Sequence, residues 1–105
     1  MGFRGKTLVV TLTLLMTCFA SSSHAAGNPA SGKIKSISCQ VCHGKDGHSN
    51  NPSYPKLAGQ HAQYTAKQMR DFKNKTRVDA VMNEMSSGLS EQDIDDIAAY
   101  FESVR

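Results

Sequence analysis

The chain has 105 residues, which is enough for a single domain. It carries 12 basic and 9 acidic side chains, has no tryptophan, and has a formal net charge of +3. This balance lacks the strong basic patch that binding to nucleic acid requires, so we expect no nucleic-acid partner.

Residues 1–25 have the pattern of a secretory signal peptide. Arg4 and Lys6 precede an apolar run over residues 8–19, and residues 23–25 form a small-x-small cleavage site. The apolar run is shorter than the about 20 residues of a membrane-spanning helix, so a retained anchor is the less favoured alternative. We therefore predict an exported, periplasmic domain of residues 26–105 with no stable membrane insertion after cleavage.

Three segments of this domain have the apolar spacing of helices: residues 32–38, 60–73 and 90–105. Ser90 and Asp93 are spaced as a capping box at the start of the last one. Two connecting segments are expected to be irregular: residues 44–55, which are rich in glycine, asparagine and proline, and residues 78–88. No segment has the alternating pattern of a strand, so the predicted fold class is all-α with long connections.

The most informative segment of the domain is Cys39-Gln40-Val41-Cys42-His43, a CxxCH motif. This spacing is typical of the covalent attachment of a c-type haem. Two thiols on one turn can each add to one vinyl group of the haem, and the adjacent histidine then reaches the iron from one face. The motif therefore predicts Cys39 and Cys42 as thioether attachment sites and His43 as an axial ligand of the iron.

Three other kinds of site use two cysteines at this spacing. A thioredoxin-like redox pair needs a strand–helix–strand context, which the pattern lacks. A zinc site would need His48 and His61, whose spacing fits no common zinc pattern, and a structural disulfide is the third alternative. Because cleavage would also remove Cys18, the 80-residue domain would keep two thiols and a core too small for comfortable stability. A buried haem would supply the missing apolar core, which favours the haem site.

The residues themselves leave the second axial ligand of the iron open. Five side chains are candidates: His48, His61, Met69, Met82 and Met85. His48 is too near His43 in the chain to reach the opposite face easily, and Met69 lies on an apolar helix face, which is typical of a core residue. Met82 and Met85 both lie in the predicted irregular segment, and this reasoning does not separate them.

The charges are unevenly distributed along the chain. Five basic side chains fall between residues 67 and 77, and five acidic ones fall between residues 91 and 102. We expect two solvated helix faces. The alternative is a dipolar surface that orients the protein on a redox partner.

Six groups of residues form a pattern that extends over nearly the whole domain: Cys39-x-x-Cys42-His43-Gly44-x-Asp46-Gly47; Pro55-x-Leu57-Ala58-Gly59-Gln60; Tyr64 with Gln68 and Phe72; Met82; Leu89-Ser90-x-x-Asp93-Ile94; and Ile97-Ala98-Ala99-Tyr100-Phe101. With this pattern the chain resembles the class I c-type cytochromes from Gly32 to its C-terminus. It is most similar to the small soluble bacterial monohaem type, and it is also similar to one half of the two-haem cytochromes of the same lineage. The resemblance implies a small cytochrome c fold, in which three to five short helices wrap around one covalently bound haem c.

The resemblance also implies the second axial ligand. In the family the axial methionine lies seven residues before the leucine of the Leu-Ser helix start, and the residue seven before Leu89 is Met82. Met85 is then a packing residue or a secondary candidate.

Two contacts within the fold are implied by the same resemblance. The Pro55 carbonyl is expected to accept a hydrogen bond from Nδ1 of His43, which would orient the imidazole ring and set its basicity. Gly32 is expected to let the first helix cross closely over Tyr100 or Phe101.

Ligation of the iron by histidine and methionine implies a function. It leaves no open coordination position for oxygen, peroxide or a substrate, and the thioether raises the redox potential. The implied function is one-electron transfer between redox partner proteins, with no enzymatic turnover. A haem-containing relay subunit or accessory of a larger respiratory enzyme is the alternative. Peroxidase-like and gas-binding functions need an open distal site and are less favoured.

Overall fold

The computed structural model of the chain describes residues 1–5 and 26–105. Within these residues five α-helices follow one another: α1 (Pro29–Lys35), α2 (Ile37–His43), α3 (Ala62–Lys73), α4 (Ala80–Ser87) and α5 (Glu91–Ser103). A 3-10 turn, Lys45–Gly47, follows α2, and no strand occurs in the described part of the chain. The prediction of an all-α fold is confirmed.

The predicted signal peptide lies almost entirely outside the described residues, which include only residues 1–5 of it. The leader and its cleavage site at residues 23–25 therefore stay predictions. Among the residues that the structure describes, no helix is long and apolar enough to cross a membrane.

Helix α5 supplies the centre of the core. Its Ile94 and Phe101 are fully buried and belong to one apolar cluster with Met69 of α3, which is the core position expected for Met69. The helix begins at the predicted capping box. Asp93 donates its backbone N–H to Oγ of Ser90 at 3.0 Å, and Ser90 donates its backbone N–H to Oδ2 of Asp93 at 2.9 Å. Aspartate thus does here what glutamate does in the usual box.

Helices α1 and α5 cross at backbone contact, and Gly32 makes this crossing possible. A Cβ atom on residue 32 would lie 1.8 Å from the carbonyl oxygen of Asp96 and 2.8 Å from Cβ of Tyr100. Because Cβ atoms essentially never approach other atoms within 3.0 Å, no larger residue fits without moving a helix. The predicted close crossing over Tyr100 is confirmed, and the nearest backbone is that of Asp96, one turn earlier in α5.

A buried carboxylate holds the two crossing helices together. Asp96 accepts from Nζ of Lys35 at 2.7 Å and from the backbone N–H of Asn28 at 2.8 Å. It also accepts from Nε2 of Gln92 at 2.9 Å. Lys35 forms a second ion pair with Asp93 at 2.8 Å. These bonds, that from Lys35 foremost, favour the charged carboxylate and hold the pKa of Asp96 below its usual value.

The segment that leads into the cysteines is two helices rather than the single helix expected over residues 32–38. The chain changes direction at Ser36, which is fully buried and has a ψ of 1°. The Ser36 hydroxyl donates to the carbonyl oxygen of Lys33 at 3.1 Å and accepts from Nε2 of Gln40 at 3.2 Å. A serine hydroxyl that bonds to the preceding turn competes with the helix ladder, which explains the break.

The prediction that residues 78–88 are irregular is wrong, because α4 occupies most of this segment. Asp79 caps the helix: its Oδ1 accepts from the backbone N–H groups of Val81 at 3.0 Å and of Met82 at 2.9 Å. Asn83 donates from Nδ2 to the carbonyl oxygen of Phe72 at 2.7 Å, which ties α4 to the end of α3. The cap and this tether stabilise a helix whose apolar pattern is too short to stand out in the sequence.

Candidate haem site

The two cysteines of the CxxCH motif lie on one face of α2. Cys39, Cys42 and His43 are spaced by three and four residues, so their side chains lie side by side along the helix. Both cysteines are half-buried and free, so the disulfide considered from the sequence is not formed. Burial raises the pKa of the Cys39 thiol above its ordinary value. The helix therefore presents two unbridged thiols one turn apart beside an imidazole.

His43 is held in one orientation by the loop that follows it. Its Nδ1 lies 2.7 Å from the carbonyl oxygen of Pro55, and the residue is only 7% exposed. A carbonyl can only accept, so Nδ1 carries the proton and donates, and Nε2 keeps its lone pair free. This is the tautomer that a metal-ligating histidine needs, and it is the contact that the family resemblance implied. Tyr54 lies against the same ring edge-on, with 6.4 Å between ring centroids.

The turn after α2 brings Pro55 back to the histidine, and Gly47 is its pivot. Gly47 has a φ of 80°, and a Cβ there would lie 2.8 Å from the ring of Phe101. Its carbonyl oxygen accepts from the backbone N–H groups of Leu57 at 2.9 Å and Ala58 at 3.2 Å. The loop is thus pinned at both ends, against α5 and against the segment that follows Pro55.

A chain of hydrogen bonds that the sequence did not reveal supports this turn. Gln40, inside the CxxCH motif, accepts through Oε1 from the backbone N–H of Asp46 at 2.8 Å. The hydroxyl of Tyr100 donates to Oδ1 of Asp46. Burial and the neighbouring Asp46 carboxylate raise the pKa of Tyr100 to about 12. The hydroxyl therefore remains a donor at any physiological pH and connects α5 to the turn that carries the histidine.

The other candidate ligands differ in their surroundings. Met69 is buried in the core, and His48 and His61 are exposed. Met82 lies half-buried in the first turn of α4, and Met85 lies one turn later and is 41% exposed. In the part of the chain that the structure describes, no three His, Cys, Asp or Glu side chains cluster as metal ligands. Met82 stays the predicted second ligand, and its helical setting is the feature that the sequence missed.

Two free thiols and a histidine whose Nε2 is available fit a covalently attached haem. The residues that hold it would be Cys39, Cys42 and His43.

One basic side chain of α3, Arg70, reaches the acidic stretch of α5. Nε of Arg70 lies 2.5 Å from Oε2 of Glu91, and its Nη2 lies 2.7 Å from Oδ1 of Asp95. Lys67 pairs with Asp71 within α3 at 2.6 Å. Lys67, Lys75 and Arg77 are exposed, as expected for a solvated face, and the pairs of Arg70 cancel part of the charge that would make a steering dipole.

Comparison with known proteins gives consistent matches. A model of the cytochrome c family matches residues 30–105. Cytochrome c4 of Pseudomonas aeruginosa is 48% identical over 99 residues, which cover 93% of this chain and 48% of that protein. Cytochrome c-554(548) of Halomonas halodenitrificans is 46% identical over 81 residues, which cover 74% of this chain and 98% of that protein.

A solved structure matches the fold as well. The cytochrome c4 of Acidithiobacillus ferrooxidans superposes with a TM-score of 0.71 at 32% identity, over 80% of this chain and 54% of that one. The chain thus spans about half the length of its cytochrome c4 relatives, which are two-haem class I cytochromes, and resembles one half of them. The expected cytochrome c fold is confirmed.

Proposed function

This chain belongs to the cytochrome c family, a family of electron carriers with covalently bound haem, and we propose that it is a periplasmic carrier of single electrons with one haem c. The observation that supports this most directly is the arrangement on α2. There two free thiols and the imidazole of His43 share a face, and the Pro55 carbonyl fixes the ring with Nε2 free. This arrangement suits attachment of one planar cofactor.

The residues of α2 would each have a defined part. Cys39 and Cys42 would hold the haem by two thioether bonds, and Nε2 of His43 would bind the iron from one side. The haem iron supplies the chemistry, which is the uptake and release of one electron. The bond from Nδ1 to Pro55 would keep the ring in one orientation and strengthen it as a ligand in both oxidation states. Little around the ring would then rearrange when an electron arrives.

We assign the second axial position to Met82. A thioether ligand favours the ferrous state, and two protein ligands leave no coordination position for a substrate. A closed site is the reason to regard the protein as a carrier rather than an enzyme, in agreement with its cytochrome c4 relatives. The proposal of one haem rests on the single CxxCH motif at residues 39–43, and the proposal of export rests on the pattern of residues 1–25.

The test uses the purified holoprotein and two matched variants. We expect a low-spin c-type spectrum in both oxidation states, and one haem per chain by pyridine haemochrome titration. Met82→Ala should remove the iron–methionine band of the oxidised protein and lower its midpoint potential, whereas Met85→Ala should change neither. A high-spin resting spectrum in the wild type would contradict the closed site. The reverse pattern in the two variants would move the ligand to Met85.

A further inference from the structure

An apolar surface lies on the side of the CxxCH helix opposite the cysteines. Ile34, Ile37 and Val41 are 71%, 65% and 83% exposed. Isolated exposed apolar residues are normal, but these three follow one another at intervals of three and four across α1 and α2. Ile34 and Ile37 line one shallow groove with the side chains of Lys33 and Lys45. We call Ile34, Ile37 and Val41 the apolar stripe.

The haem of the proposed carrier would not cover this stripe. At 3.6 residues per turn, Cys39, Cys42 and His43 centre on one side of α2, and Ile37 and Val41 lie on the opposite side. The cofactor is therefore bonded to one face of the helix while the stripe is on the other. A helix with its side chains is about 10–12 Å across, so a protein docked on the stripe would approach the haem to about one helix diameter.

The charges that border the stripe are positive on balance, with two lysines against one aspartate. Lys33 and Lys45 are exposed, and neither ammonium forms an ion pair with a carboxylate within the described residues. Asp46 also borders the groove, but its Oδ1 is bonded to the hydroxyl of Tyr100. The hydroxyl is neutral and leaves the carboxylate charged, so the surface combines an apolar centre with two unpaired cations and one carboxylate. It is complementary to a protein surface that has an apolar centre and a carboxylate rim.

Two other occupants fit this surface less well. A symmetric dimer through the stripe would bring two borders of the same net positive charge together, which is repulsive. Membrane-surface helices bury a long apolar face that includes aromatic or leucine side chains. Here the face consists of three aliphatic side chains on two helices of 7 residues each.

We propose that the apolar stripe, with Lys33 and Lys45, is the docking surface for an acidic redox partner protein. This inference rests on the proposed carrier function and adds where the partner binds. Electrons would pass between the partner and the haem edge at α2, and the lysines would increase the rate of encounter at low salt.

The test measures electron transfer from reduced holoprotein to an acidic blue-copper protein by stopped flow. The stripe variant is Ile37→Thr with Val41→Thr, which keeps both side chains β-branched and reduces apolar contact. Val78→Thr is the matched control, because Val78 is 84% exposed and lies outside the stripe. We expect the second-order rate constant to fall about fivefold in the stripe variant and less than about twofold in the control. Lys33→Gln with Lys45→Gln should lower the rate at low salt and flatten its dependence on ionic strength.

Three results would overturn the proposal: a stripe variant as fast as wild type, a loss no larger than in Val78→Thr, or a lysine variant with unchanged salt dependence. Sedimentation with phosphatidylglycerol vesicles that is lost in the stripe variant would reassign the surface to membrane binding. A dimer that the stripe variant dissociates would reassign it to self-association. The reduction of hexacyanoferrate(III) by the reduced holoprotein distinguishes a failure of this proposal from a failure of the carrier function. Holoprotein that fails to reduce it contradicts the carrier, whereas normal reduction with an unaffected stripe variant contradicts only the docking surface.

Discussion

Replacing Gly32 by alanine tests the closest contact in the fold. The added Cβ would lie 1.8 Å from the carbonyl oxygen of Asp96, so α1 and α5 must separate by about 1.2 Å to reach the 3.0 Å limit. Separation of this size also pulls Lys35 and Asn28 away from the buried carboxylate of Asp96, to which they bond at 2.7 Å and 2.8 Å. We therefore expect Gly32→Ala to destabilise the protein strongly.

The magnitude follows from two contributions. Overpacking of a close contact costs about 1–3 kcal/mol, and weakened hydrogen bonds to a buried charged group add about 1.5–3 kcal/mol. Together they amount to about 2.5–6 kcal/mol, which is a large part of the about 5–15 kcal/mol by which domains are stable. For a domain of this size the melting temperature should fall by at least about 10 °C.

Thermal and guanidinium unfolding of the holoprotein, followed by far-UV circular dichroism, measure this loss. Gly88→Ala is the matched control, because a Cβ at residue 88 meets nothing within 4 Å and its φ of −90° suits alanine. The control should be neutral or up to about 1 kcal/mol more stable. A loss below about 1 kcal/mol in Gly32→Ala, or one equal to that of the control, would refute the reasoning that the two backbones meet at this position.

Acid should lower the stability in a range set by Asp93, whose pKa the hydrogen bond from Lys35 helps to lower from 3.8 to about 2. Such a group adds stability above its unfolded-state pKa and loses it as the pH falls through the folded-state value, so the melting temperature should fall from about pH 3.8 to about pH 2. Lys35→Met should weaken this pH dependence, and an unchanged profile would count against the ion pair. Tyr100→Phe removes the hydrogen bond to Asp46 and should lower the free energy of unfolding by about 1.5–3 kcal/mol in guanidinium titrations. If Tyr100→Phe also changed the visible spectrum of the haem, Tyr100 would instead belong to the haem site.

Much of the site could be predicted because its signals are local. The CxxCH spacing depends on two thiols and an imidazole within five residues, and any helix through them brings their side chains to one face. The capping box at Ser90 is likewise satisfied within one turn. The position of Gly32, the Pro55 bond to His43 and the identity of Met82 came from the family pattern. The structure contains the first two contacts, and the role of Met82 stays a proposal.

Other features depended on caps and contacts that leave no regular apolar spacing, and the sequence did not reveal them. Residues 80–87 form a helix because Asp79 caps it and Asn83 reaches the end of α3. Arg70 meets its carboxylates only because α3 packs on α5. Gln40 supports the turn after the motif through Asp46.

The sequence by itself therefore determined the cofactor motif, the helical class and the start of the last helix. Each of these rests on interactions within one or two turns, which the order of residues specifies directly. Only the tertiary structure decided where α4 forms, which charges cancel, and that Ile37 and Val41 stay exposed opposite the cysteines. Such features depend on which helices come into contact, and contacts between distant segments leave no regular spacing in a single sequence.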